Sequence, residues 1–260
     1  MPIISTIQII NSQTFFQIIL SFIISFLIAP LLISILYKIN IKMKTTLIKG
    51  VNDEYIKIHG NKVGTPTMGG VIVGIGVLFS IIVALKMNSY SSYSVYTIPF
   101  ILFFIFGLID DVTAYGRKLN TKAALFVDSL IFKLGKLITM FGITYFSFHY
   151  ALQVLNISTL SFLPTNFSIT ITPLTILFIS IFAIYLIYGL EITDGADGLF
   201  TGNVLITLFG IIATLTTIPS QLASKGSIEI VILTSMLGAL FASLYYNIKP
   251  ARIFMGASGT

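Results

Sequence analysis

Asp110 and Asp111 stand side by side at the end of Phe106-Gly107-Leu108-Ile109-Asp110-Asp111, and the apolar stretch leading to them from Val95 carries no other charge. If that stretch is a helix ending at the pair, the carboxylates lie where the helix macrodipole is already negative. Adjacent like charges raise the cost again. In a chain with only 9 acidic residues, this placement implies a cation close by, either a divalent metal or a basic side chain. The plain alternative is a solvated pair at a membrane interface, although acids at membrane depth usually serve function.

A second acidic stretch, Glu191-Ile192-Thr193-Asp194-Gly195-Ala196-Asp197-Gly198-Leu199, sets three carboxylates among glycines. Asp197 as a helix cap and the glycines as turn formers explain part of it. Three acids are more than a turn requires. On a glycine-rich loop they can approach a metal or accept hydrogen bonds from the imide and hydroxyl groups of a substrate. A third stretch, His59 to Gly70, has two readings of equal weight. Thr65 as N-cap and Pro66 at the first helical position would simply start a helix, with Gly70 and Gly74 as small packing residues. A helix start is also an anion site, with Lys62 beside it. The fourth runs from Asn247, a helix break, through Lys249, Pro250 and Arg252 to Phe254 and Gly256. It reads either as an ordinary basic segment at a membrane edge or as a phosphate grip with an exposed aromatic that stacks on a base.

The elements that position these residues follow from composition. Of 260 residues, 56% are hydrophobic and 9% charged, which excludes a soluble globular domain and requires a polytopic membrane protein. The expected fold is an all-α transmembrane helix bundle forming a single membrane domain over 1–260. Its spans lie near 14–37, 69–86, 94–110, 130–152, 171–190, 198–218 and 228–246. Cysteine is absent and there are 2 histidines, so a thiolate or His-rich metal site is excluded. The net charge of +6 suits anionic lipid or a phosphorylated substrate, and nothing resembles a nucleic-acid-binding arm.

Every basic residue except Lys86 and Lys225 falls on one side of these spans. That bias puts the amino terminus outside and the motif-bearing segments on the cytoplasmic face. All the acids except Glu229 fall there too. The opposite connections, 87–93, 153–170 and 219–227, are rich in Ser, Thr and Asn. Paired acids, lysines and glycines at one interface point to phosphoryl chemistry on a membrane-embedded substrate, where metal ions bridge phosphate oxygens and the protein positions groups. A transporter with an acidic cation path is the contrary reading, and the acids do not track across the bilayer as it would require.

Lys62 to Gly70 (KVGTPTMGG), Asp110-Asp111, Thr193 to Leu199 (TDGADGL) and Pro250 to Gly256 (PARIFMG) resemble, in that order, the motifs of phospho-N-acetylmuramoyl-pentapeptide transferases. These belong to the polyprenyl-phosphate N-acetylhexosamine-1-phosphate transferase superfamily of the bacterial inner membrane. The resemblance covers roughly residues 14–260. It implies transfer of phospho-N-acetylmuramoyl-pentapeptide from its UDP carrier to undecaprenyl phosphate, giving lipid I and UMP, with magnesium as cofactor and a homodimer as assembly. In that reading Asp110 deprotonates or positions the lipid phosphate, and Asp111 supports it. Asp110, Asp111 and Asp194 are the implied metal and catalytic acids. Lys62, Thr67 and Asp194 line the nucleotide-sugar pocket, and Gly195, Ala196, Asp197 and Phe254 the uracil pocket. Glu191, Gly256 and, by its place after the acidic pair, Lys133 complete the implied substrate-binding set.

Three departures from the family pattern carry expectations of their own. Ala257 stands where the family has the Asp of Met-Gly-Asp, so one oxygen ligand for a hard cation is missing. Glu191 stands where the family has Asn, adding a charge. The sequence also stops at Thr260, before the family's last three spans and its histidine-rich loop. The resulting alternative is a truncated or inactive relative that binds UDP-sugar or lipid without turnover, and the nearer one is a related sugar-1-phosphate transferase.

Overall fold

The computed structural model describes residues 12–39, 64–87, 93–119, 130–162, 167–194, 196–217 and 228–259. The protein is all-α apart from one short hairpin. In chain order the helices are α1 (Ser12–Lys38), α2 (Gly70–Met87), α3 (Ser94–Leu119), α4 (Leu130–Val154), α5 (Pro173–Thr193), α6 (Leu199–Thr217) and α7 (Ile228–Asn247). Six are long and apolar enough to cross a membrane, and α6 contributes a shorter apolar stretch, Leu199–Leu215. Each expected span therefore has its helix, and the chain is a multi-pass membrane protein.

Two compact units divide the chain, one comprising Met1–Ser89 and Thr193–Thr260, the other Tyr90–Ile192. In the first, α1, α2 and α7 pack on one another, and α6 packs on α7. Small residues let these backbones approach. A Cβ on Gly238 of α7 would strike the Ile18 carbonyl oxygen and Ser21 Oγ of α1. Close approach of this kind is how membrane helices gain dispersion energy where lipid and side chains are equally apolar. Polar side chains then join the three helices. Ser80 Oγ donates to Gln17 Oε1, shares a hydrogen bond of 2.9 Å with Ser235 Oγ, and Ser25 Oγ donates to the Ile72 carbonyl at 3.2 Å. Gly238→Leu should therefore force α7 off α1 and cost about 1–3 kcal/mol by overpacking. The check is a lowered midpoint of thermal unfolding in detergent; an unchanged midpoint would remove the close contact.

The second unit holds α3, α4, α5 and the strands β1 (Thr159–Phe162) and β2 (Phe167–Thr170). The strands pair antiparallel in the register Thr159↔Thr170 to Phe162↔Phe167, and a hydrogen bond of 2.9 Å from Ile171 N to the Ser158 carbonyl extends the ladder at its base. The connection 153–170, read from sequence as Ser/Thr/Asn-rich and without chemistry, thus contains regular structure. Immediately after it, α5 starts as its sequence demands. Thr172 and Thr175 exchange side-chain-to-backbone hydrogen bonds of 2.6 and 3.3 Å, a reciprocal cap, and Pro173 occupies the first helical position.

One boundary differs in a way that changes the electrostatics. The third span was expected to end at residue 110, but α3 continues to Leu119. Asp110 and Asp111 therefore lie inside a helix, more than two turns before its end. The macrodipole argument does not apply there, since the dipole's charge is confined to the last turn.

Candidate active site

Each unit carries one acidic cluster. In the second unit, Lys136 of α4 places Nζ 2.7 Å from Asp110 Oδ2 on α3 and 3.7 Å from Glu191 Oε1 near the end of α5. One ammonium thereby ties three helices through carboxylates on two of them. The side chains keep 18–39% of their surface exposed, so the cluster is only partly buried by protein. The expected cation beside the acidic pair is present, as a side chain. Lys133, the residue expected from the resemblance, lies one turn earlier on α4 and is exposed. Sequence reasoning passed over Lys136, although a lysine inside an apolar span is itself a signal. Glu191, read as a substrate contact, faces this same ammonium.

In the first unit, three of the four motifs meet. The turn before α2 and the segment after α7 form a short backbone pairing. Gly69 N donates to the Phe254 carbonyl at 2.8 Å, Gly70 N to the Met255 carbonyl at 2.8 Å, and Phe254 N to the Pro66 carbonyl at 2.9 Å. Side-chain-free backbone is needed on one side, because a Cβ on Gly70 would overlap the backbone of Ser258 and Gly259. The acidic loop then grips the same segment. Asp194 Oδ2 accepts from Gly256 N at 2.9 Å and Oδ1 from Met255 N at 3.4 Å, while Asp197 Oδ2 accepts from Ala251 N at 3.4 Å.

Asn247 locks this arrangement from beneath. It is 1% exposed. Its Oδ1 accepts from Gly198 N at 3.1 Å and Thr201 Oγ1 at 3.0 Å, and its Nδ2 donates to the Ile253 carbonyl at 2.9 Å. From sequence it read only as a break after α7. Asn247→Leu should leave the Gly198 N–H and the Ile253 carbonyl unmatched in a buried place, at about 1–3 kcal/mol each. Thermal unfolding would show that loss, and full stability in the variant would deny Asn247 this role.

Several expectations are corrected here. At the start of α2, Gly70 and Gly74 are buried packing residues as expected, but the expected cap is not there. The helix begins at Gly70, so Thr65 and Pro66 do not cap it. The Gly69 and Gly70 N–H groups are taken by backbone carbonyls, so no anion cradle is left there. The exposed aromatic expected at Phe254 is instead 3% exposed, buried with Ile253 and Met255 because the pairing to 66–70 turns that segment inward. Arg252 is exposed, as are Lys249 and Pro250 before it, and its guanidinium lies 5.5 Å from the Tyr245 ring centre. Thr67 is half-buried within the paired turn, and Ala196 is exposed on the acidic loop. Lys62 and Gly195 lie outside the described residues.

The donor chemistry bears on magnesium. Among the described residues no group of three Asp, Glu or His side chains forms a metal cage. Magnesium, however, usually takes one or two carboxylates and completes its shell with water and substrate phosphate. Asp110 and Asp111 fit that pattern as neighbouring hard-oxygen donors on α3, Asp110 lying beside the Lys136 ammonium. Ala257, next to the anchored Gly256, offers no oxygen.

The profile of glycosyl transferase family 4 matches residues 93–260. Proteins named phospho-N-acetylmuramoyl-pentapeptide-transferase from Staphylococcus aureus strains JH9, Newman and N315 are each 28% identical to this chain over 214 residues. The alignment covers 82% of this chain and 63% of each relative, so the chain spans less than two thirds of their length. The family match takes in the acidic pair, Lys136, the Asp194–Asp197 loop and the segment they anchor. The chain belongs to glycosyl transferase family 4.

Proposed function

We propose that this chain carries the catalytic region of a membrane phospho-sugar transferase that moves phospho-N-acetylmuramoyl-pentapeptide from UDP to undecaprenyl phosphate, at the cytoplasmic face of a bacterial inner membrane. The observation that carries the reading is the Asp110–Lys136–Glu191 cluster, built on three helices beside Asp111. Family membership and the name of the relatives support the substrate class.

In the reaction, an oxygen of the lipid phosphate attacks the phosphorus that bears the sugar. A new P–O bond forms as the bond to the uridylate oxygen breaks, and UMP leaves. Such transfers need positioning and charge compensation more than covalent help. Lys136 offsets the Asp110 charge through Oδ2, and Oδ1 is the oxygen that would accept a proton from the lipid phosphate. The same ammonium is a fixed cation for developing phosphate charge. Asp194 and Asp197 shape the loop after α7 through its backbone N–H groups, and the exposed Lys249 and Arg252 of that segment are the cations that would meet the nucleotide. Magnesium, held by Asp110 and Asp111 with the diphosphate, would supply further charge neutralisation.

The test is release of UMP from UDP-N-acetylmuramoyl-pentapeptide by the purified chain in detergent with undecaprenyl phosphate and magnesium. Wild type should release UMP and Asp110→Asn should not. Silence from folded wild-type protein would overturn the transferase reading. Ala257 favours one alternative, a relative that binds UDP-sugar without turnover. Under that alternative, Ala257→Asp should convert a silent protein into one that releases UMP, while nucleotide-sugar binding by calorimetry should be present in both.

A further inference from the structure

We propose that the second unit also holds a lipid site, at the end of α4 away from Lys136, for a membrane lipid with an uncharged, hydroxyl-rich headgroup. A cavity of about 470 Å³ lies where α4, the base of the hairpin and the start of α5 meet. His149, Gln153 and Asn156 reach it from α4 and the turn after it, and Thr172 from the start of α5. All carry hydrogen-bonding groups around an apolar floor, the usual make-up of a small-molecule pocket.

A second cavity of about 400 Å³ adjoins it, lined by Phe141, Tyr145, Leu174 and Leu177. Pro173 lines both. The two are also continuous along α4. Phe141 stacks on Tyr145 and Tyr145 on His149, each with ring centres 6.2 Å apart. From Phe141 to Gln153 the helix rises about 18 Å at its regular pitch, close to the ~15 Å of one leaflet's hydrocarbon. The apolar and polar cavities together therefore span about the depth of one leaflet, an arrangement that suits an acyl chain below and a headgroup above.

Charge selects the headgroup. Between Lys136 and Glu191 the chain contains no Asp, Glu, Lys or Arg. A phosphate would find no cationic partner from α4, the hairpin or α5 here, whereas anionic headgroups are normally met by Lys or Arg. Amides, an imidazole and hydroxyls instead match the donors and acceptors of a sugar. The occupant we assign is therefore a glycosyl-diacylglycerol rather than a phospholipid. This proposal does not rest on the transferase reading, since it concerns other residues and needs no turnover.

The experiment is native mass spectrometry of the full chain released from detergent. It would be titrated with monohexosyl-diacylglycerol and, separately, with phosphatidylglycerol of the same acyl chains. The hexosyl lipid should bind at least about fivefold more tightly, the effect of one neutral hydrogen bond. Gln153→Leu should remove that preference while keeping acyl binding. Leu177→Trp, which fills the groove from the other helix, should reduce adducts of both lipids. Circular dichroism melts would confirm that each variant is folded, and either variant alone suffices. Equal adducts of the two lipids, a preference for phosphatidylglycerol, no adducts, or adducts indifferent to both folded variants would each overturn the proposal.

Discussion

Lys136→Met should be the most damaging single change in the second unit, on stability and on UMP release together. Removing the ammonium takes from the carboxylates of Asp110 and Glu191 the charge that offsets them, next to Asp111. Breaking a fully buried pair from one side costs about 3–5 kcal/mol. Here the partners retain about a fifth of their surface (22% and 18%), so water shares the load and about 2 kcal/mol is expected by the same reasoning. The effect on turnover should be larger, about 10²–10³-fold, as for loss of one preorganised charge-stabilising group. Distance ranks the neighbours. Asp110→Asn loses the 2.7 Å contact and Glu191→Gln only the 3.7 Å one, so Glu191→Gln should be the mildest of the three for stability. Thermal unfolding and UMP release measured on all three variants check this order. A Lys136→Met protein as stable and as active as wild type would dismiss the cluster.

Gly70→Val should be the most damaging change in the first unit. Its side chain would occupy the space of the Ser258 and Gly259 backbone, and backbone cannot swing aside as a flexible side chain can. The segment after α7 must then leave. Two hydrogen bonds from Gly69 and Gly70 are lost with it, at about 1 kcal/mol each, and the side chains of Ile253, Phe254 and Met255 come into water. Trypsin offers a direct reading. Lys249 precedes Pro250 and resists cleavage, so a cut after Arg252 reports release of the segment. Faster cleavage in Gly70→Val than in wild type is expected, and nucleotide-sugar affinity should fall with it. Identical digestion of the two proteins would show that the pairing is not what holds the segment.

The helices were legible because a lipid-facing element must be apolar on nearly all sides, and runs of that kind are conspicuous in this sequence. Where the chain leaves the hydrocarbon, the signal weakens. Val112 to Leu119 (VTAYGRKL) is polar enough to pass for a loop, yet it continues α3. The hairpin was written in the alternation of TLSF and FSIT, but four-residue strands are too short for periodicity to separate from chance. Among site residues, acids and glycines announced themselves by type. Asn247, Lys136 and the inward turn of Phe254 did not. Their roles depend on which segments distant in the chain they meet, and one sequence does not record such meetings. The resemblance to relatives grouped these motifs and named the family to which the chain belongs. It did not reveal that three of them interlock through backbone hydrogen bonds, because a backbone partner leaves no mark on residue identity.

The pairing of residues 66–70 with 254–255 has a consequence for how the protein comes into being. Its halves are separated by more than 180 residues of chain and are synthesised at different times. While the ribosome is still producing the intervening helices, the amide donors at Gly69 and Gly70 must be satisfied by water or by the insertion machinery. This corner of the unit therefore forms only after α7 has been made, as a closing stitch, and a nascent chain halted before that point would be embedded with the turn before α2 still unpaired.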